Sequence, residues 1–243
     1  MPGIAAAISA ITDDMVNQLD GLSFGPPVTH TYNPLAYARS GYDRYIRRFG
    51  DSRRQIILLG MNPGPFGMVQ TGVPFGDVPV VAGWMGIRAA VGQPRRSHPK
   101  RPVAGFACTR REVSGRRLWG WVRQRFGPPD AFFHRFLVLN YCPLAFMEAG
   151  GRNRTPDRLP ADEKSALFAI CDRALQRAIA CYEPEWVVGI GRFAGQRDEA
   201  ALGGMPPAIG RISHPSPANP MANRGWGALV ESELAEMGIR LRD

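Results

Sequence analysis

The stretch QIILLGMNPGPFGM, residues 55–68, carries an apolar run at 56–59 straight into a loop holding Gly60, Gly64 and Gly67, Pro63 and Pro65, and a single amide, Asn62. A short apolar run bounded by Gly and Pro reads as a strand buried on both faces, and the loop after it is stiff and uncharged. Three more runs have this character: 136–139, 186–190 and a weaker one at 208–213. Helical patterns fall between them. The clearest is 162–181, where Leu167, Ile170, Cys171, Ala174, Leu175 and Ala178 recur at i, i+3, i+4 spacing and form a core stripe. Others are read at 33–48, 78–91, 114–126 and 220–237, the last starting on an Asn219-Pro220 cap and stopping at Gly238. Strands alternating with helices predict a three-layer α/β/α fold with a central, mostly parallel four-stranded sheet, in a single domain over residues 1–243. There is no internal repeat and no linker, only a Pro/Arg-rich excursion at 93–102.

Composition agrees with a folded soluble chain: 44% of the 243 residues are hydrophobic and 21% charged. The N-terminal apolar run at 4–11 has no basic residue before it and two aspartates after it, unlike a secretory signal, and nothing approaches membrane-spanning length. A cytoplasmic, bacterial-type location follows, with no membrane partner. Cys108, Cys142, Cys171 and Cys181 are 34, 29 and 10 residues apart, so no C-x-x-C pair opens a metal site, and buried free thiols are expected. No cofactor is implied.

The charge is more informative. A net +9 suggests a polyanionic partner. Much of the excess lies between Arg95 and Arg117, with Arg96, Lys100, Arg101, Arg110, Arg111 and Arg116 against only Glu112. The bland alternative is a solvated basic face, since 28 of the 30 basic residues are Arg.

Ligands of open α/β sheets bind beyond the carboxyl ends of the strands. Here the first strand delivers Met61 and Asn62, the second ends at Asn140, and the fourth ends at His214 in RISHPSPANP. Each alone is a common turn or core residue; three at strand ends point to one rim. No Asp or Glu occurs at 53–76, and no phosphate loop or nucleophile elbow is present, so paired-carboxylate hydrolysis is poorly supported. Amide, imidazole and aromatic groups remain, which suit a neutral heterocycle.

With those residues in view, the chain resembles the single-strand-selective monofunctional uracil-DNA glycosylases, on GMNPGPFGMVQTGVPFGDV (60–78), HPKRPV (98–103), EVSGRRLWG (112–120), NYCPL (140–144), GRNRTP (151–156) and HPSPANPMANRGW (214–226). The resemblance implies excision of uracil and some C5-modified uracils, such as 5-hydroxymethyluracil, from single- and double-stranded DNA, with no obligate protein partner. It implies that Asn62 positions water and His214 stabilises the leaving base, as the catalytic pair. Met61, Gly64, Phe75 and Asn140 would bind the base, with Phe75 stacking on the ring and Asn140 pairing with its edge. Lys100, Arg101, Ser216, Pro217, Ala218, Asn219 and Arg224 would contact DNA. Family members often carry a basic residue where this chain has Ala218, which implies weaker penetration of duplexes. In uracil-specific relatives an aromatic ring at the place of Gly64 covers C5; its absence here predicts open, wet space that admits a hydroxymethyl group.

Strand nicking would need an amine to form a Schiff base. Lys100 and Lys164 are the only lysines and lie outside the rim, and Pro2 offers a secondary amine only if Met1 is removed, so no lyase activity is expected. A non-catalytic binder of single-stranded nucleic acid, using Phe75, Trp84, Trp119, Trp121 and Trp226, is the alternative reading, but it leaves Asn62 and His214 unexplained. An enzyme acting on free nucleosides would not need the positive charge.

Overall fold

The structure, a computed structural model, describes residues 3–241; Pro2 lies outside them. The chain runs α1 (Ile4–Asp20), β1 (Val28–Tyr32), α2 (Pro34–Tyr37), α3 (Arg39–Phe49), β2 (Ile56–Gly60), α4 (Met68–Thr71), α5 (Val113–Phe126), α6 (Pro129–Phe133), β3 (Phe136–Asn140), β4 (Ala145–Glu148), β5 (Asn153–Arg154), α7 (Ala161–Tyr182), β6 (Trp186–Ile190), α8 (Arg192–Leu202), β7 (Ala208–Ile212), α9 (Pro220–Asn223) and α10 (Trp226–Glu236). The apolar runs become a wholly parallel sheet in the order β3-β2-β6-β7. Ile56, Ile57, Leu58 and Leu59 of β2 are all buried, as a strand covered on both faces requires.

Two glycines show how the layers close. A Cβ on Gly189 of β6 would overlap the backbone of α8 at Gly195, and one on Gly210 of β7 would overlap Met237 just past α10. Gly210 pairs with Val188, whose side chain points away from the face of Gly189, so α8 and α10 cover opposite faces. The chain leaves β2 for β3 on one side and β6 on the other. That reversal opens a crevice beyond the end of β2.

Several expectations are corrected. The helix at 78–91 is only a π-helical turn, Val80–Trp84, with Gly86 at φ 64 beyond it. The helix at 33–48 breaks into α2 and α3 at Ala38, and that at 220–237 breaks at Gly225, whose φ of 139 no L side chain adopts readily. Helices α1 and α8 were not expected, nor was the antiparallel sheet β1-β4-β5. Its strands have five, four and two residues, too short for alternation to register. Of the four free thiols, Cys142 and Cys171 are buried, whereas Cys108 and Cys181 are half-buried. Among the described residues no helix is long and apolar enough to cross a membrane.

Trp119, Trp121 and Trp226 are buried, with Trp121 and Trp226 edge-to-face at 5.6 Å. Trp84 donates its indole N–H to Gly127 O at 3.0 Å. Three of the five aromatics on which the binder reading rests are therefore core residues. Stacking platforms for nucleic acid must be exposed.

Candidate active site

The carboxyl ends of β2, β3 and β7 open on a cavity of ≈ 200 Å³, below the roughly 300–1,000 Å³ of drug-sized sites, so it suits a single heterocyclic ring. Met61, Asn62, Gly64, Phe75, Asn140 and His214 all line it.

Gly60, opposite Asn140 in the β2–β3 register, makes the floor possible. A Cβ there would overlap both Asn140 Oδ1 and the Phe75 ring. Phe75 holds φ at 52, a left-handed conformation that costs about 1–3 kcal/mol for such a residue. Its carbonyl is fixed by the Trp119 indole N–H at 3.1 Å and the Asp77 N–H at 2.9 Å, which hold the ring against the floor.

Each polar side chain is oriented by the frame. Asn140 donates an Nδ2 hydrogen to Met68 Sδ at 3.2 Å, while its Oδ1 is buried without a partner among the described residues. Leaving such an acceptor open costs about 1–3 kcal/mol, which a donor on a bound ring would recover. Asn62 donates from Nδ2 to Leu144 O at 3.1 Å, so its Oδ1 is left to accept from a water. The Ser216 N–H donates to His214 Nδ1 at 3.0 Å, which puts the imidazole proton on Nε2. Burial pulls the His214 pKa down to about 4, so the ring is neutral at pH 7 and offers one N–H.

Pro65, Glu112, Ser114, Asn153 and Thr155 complete the wall, and the last four were not expected as site residues. Their signal was present, in EVSGRRLWG and GRNRTP, but nothing local marked them as lining a pocket. Asn153 ties the loop after β2 to the antiparallel sheet, donating to Pro63 O at 3.1 Å and accepting from the Phe146 N–H at 3.3 Å. Glu112 corrects the expectation of an uncharged rim: residues 53–76 hold no carboxylate, but the N-cap of α5 brings one in from outside that stretch. It also corrects the open space before Gly64, because a Cβ on Gly64 would overlap Glu112 Oε2.

Residues 47–230 match the uracil DNA glycosylase superfamily. The chain is 46% identical over 224 residues to the single-strand selective monofunctional uracil-DNA glycosylase of Rattus norvegicus, covering 91% of this chain and 81% of that one. Against the Bos taurus protein of the same description it is 44% identical over 225 residues, covering 92% and 83%. It belongs to this glycosylase family. The fold is also that of the Pedobacter heparinus SMUG2 crystal structure, with a TM-score of 0.70 over 98% of both chains at 16% identity.

In this glycosylase family member the basic segment is less available than its sequence suggests. Arg95 pairs with Asp20 at 2.7 Å, Arg111 with the buried Asp77 at 2.7 Å, and Arg117 donates to Pro215 O at 3.1 Å and Asn223 Oδ1 at 2.8 Å. The excursion at 93–102 is pinned by His98, which is 1% exposed, its backbone N–H donating to Tyr32 Oη at 2.6 Å. Lys100 is exposed, and the Arg101 guanidinium lies 5.3 Å from the centre of the Phe66 ring, in the loop that carries Gly64. Pro217, Ala218 and Arg224 are exposed as well. Ser216 and Asn219 are engaged within their own loop: Ser216 Oγ accepts from the Ala218 N–H at 3.2 Å, and Asn219 caps α9 and donates to His214 O at 3.0 Å.

Proposed function

We propose that the protein rotates uracil out of DNA into this cavity and hydrolyses its N-glycosidic bond, leaving an abasic site intact. The observation that carries the reading is the buried, unpartnered Asn140 Oδ1 beside the Phe75 ring, with a neutral His214 on the same cavity. Uracil offers a donor at N3–H next to an acceptor at O4, matching Asn140 Oδ1 and its second Nδ2 hydrogen; cytosine offers the reverse. Extrusion costs a few kcal/mol, least from single strands and mispairs, and stacking on Phe75 returns about 1–3 kcal/mol.

Bond cleavage puts negative charge on the departing base and positive charge on the sugar. His214 Nε2–H, directed at O2, stabilises the anion as an oxyanion-hole donor does, and needs no positive charge of its own. An amide cannot deprotonate water, so Asn62 Oδ1 holds a water in place and the electrophilic sugar accepts it. The order is dissociative. With no lysine in the cavity wall, the reaction stops at the abasic site.

The finer parts of the reading are that uracil and C5-modified uracils are taken from single and double strands, that Lys100, Arg101 and the 216–224 loop meet the phosphates, and that the protein works in the cytoplasm beside the chromosome. The net charge of +9 and the exposure of Lys100 and Arg224 support the phosphate contacts. The test is cleavage of a uracil-containing single-stranded oligonucleotide with and without alkali. Cleavage only after alkali is expected; binding without base release would overturn the reading, and cleavage without alkali would overturn the absence of lyase action.

A further inference from the structure

Glu112 stands out because the frame holds its side chain from several directions. Its backbone N–H donates to Asp77 Oδ1 at 3.0 Å, and Asp77, fully buried, is itself held by Arg111 at 2.7–3.1 Å. Its Oε1 accepts from the Ser114 N–H at 3.3 Å, capping α5. A Cβ on Gly67 would come within 2.8 Å of Glu112 Cγ, and one on Gly115 within 3.2 Å, so neighbouring backbone closes around the stem. Of the two carboxyl oxygens Oε2 is the nearer to Gly64, and Glu112 lines the cavity.

The covalent order of a pyrimidine says what that oxygen meets. Around the ring O2, N3 and O4 are followed by C5. With O2 at His214 and N3–O4 at Asn140, C5 leaves the polar edge on the side away from His214. Asn62 gives its Nδ2 to Leu144 O and, in the reaction proposed above, its Oδ1 to the water, and both ends of the Asn153 amide are committed to backbone. The rest of the wall is Met61, Gly64, Pro65, Glu112, Ser114 and Thr155, and of these Glu112 is the ionisable group and lies against Gly64.

Resting on the glycosylase reading above, we propose that the Glu112 carboxyl is the specificity-determining residue for the C5 substituent: its Oε2 hydrogen-bonds a 5-hydroxymethyl group and disfavours a 5-methyl group. Burial raises the Glu112 pKa and the charge of nearby Asp77 adds to the rise; whether charged or neutral, the carboxyl can accept a hydrogen bond from a hydroxyl. A hydroxyl exchanges one hydrogen bond with it. A methyl group leaves the carboxyl desolvated without a partner, and a site built to bond a polar group rejects the analogue that lacks it.

The test is single-turnover excision of uracil, 5-hydroxymethyluracil and thymine, each from single-stranded DNA, by wild type, Glu112→Asp and Glu112→Gln. Asp is a preferred N-cap residue, so Glu112→Asp keeps the helix start while withdrawing the carboxyl by one methylene. It should lower the hydroxymethyluracil-to-uracil ratio roughly ten-fold, the scale of one hydrogen bond, and raise the thymine-to-uracil ratio. Glu112→Gln keeps a donor and an acceptor at the same reach and should hold the hydroxymethyluracil ratio within a few fold. Ratios unchanged in Glu112→Asp, with uracil excision intact, overturn the assignment of Glu112. Wild type that releases no uracil overturns the glycosylase reading instead.

Discussion

Two loops face each other across the cavity and are built in opposite ways. The loop after β2 is held mainly from a distance: Asn62 reaches Leu144, 82 residues on, and Asn153 reaches back 90 residues to Pro63, with Gln70 adding one nearer tie to Pro65 O at 2.9 Å. The loop after β7 largely holds itself. Ser216 and Asn219 bond His214 within five residues, and Arg117 at Pro215 and the Trp226 indole N–H at Ser213 O (2.7 Å) tie the ends down. Damage to the first loop should therefore be inflicted by residues remote in sequence, and damage to the second by its own residues.

The largest effect is expected in the self-held loop. His214→Leu removes the proposed donor to the leaving base and should lower the single-turnover rate by roughly 10² to 10³, while DNA affinity stays within a few fold. Near wild-type rates would remove His214 from the mechanism. The same residue predicts a pH profile. Its folded pKa of about 4 lies below the unfolded value of about 6.5, so the unfolded chain takes up the proton first as pH falls. Stability contributed at pH 7 is lost from about 6.5 downward to about 4, and the excision rate should stay flat through 6.5 and fall near 4, where protonated Nδ1 can no longer accept from Ser216. An inflection at 6.5 would mean a solvated imidazole.

Asn62→Ala comes next. It loses both the proposed water acceptor and the tie to Leu144, and single-turnover excision should slow by roughly 10² without loss of binding, the scale of misplacing one reacting group. A matching loss of affinity would make its role structural. Asn153→Ala tests the remote control of the same loop: it touches no reacting atom in the proposed reaction, yet cutting the tie to Pro63 should slow excision about ten-fold, the scale of one hydrogen bond. If excision is unchanged, the loop after β2 is as self-supporting as its partner, and the contrast fails.

The smallest effect belongs to Ala218, exposed on the self-held loop. Ala218→Arg adds a cation that can reach a phosphate, so excision from duplexes should rise a few fold more than excision from single strands. Equal gains on both substrates would place this loop away from the helix axis.

The same contrast explains what could be read from the chain alone. The four strands, the amide and imidazole at their ends and the cap at Asn219 are local features: a buried strand needs an apolar run, and parallel strands must deliver their next residues to one edge. The segments bearing Asn62, Asn140 and His214 were legible for that reason. Glu112, Asn153 and Thr155 were not, because nothing near them in sequence marks a pocket; helix α5 and the antiparallel sheet carry them there. Nor could charge be apportioned in advance, since Arg95, Arg111 and Arg117 find their partners 75, 34 and 98 residues away. Periodicity and turn chemistry act over a few residues and can be read in order along the chain. Which carboxyl meets a base, and which arginine is left for DNA, depend on burial and contact across the fold, and only the packed tertiary structure decides them.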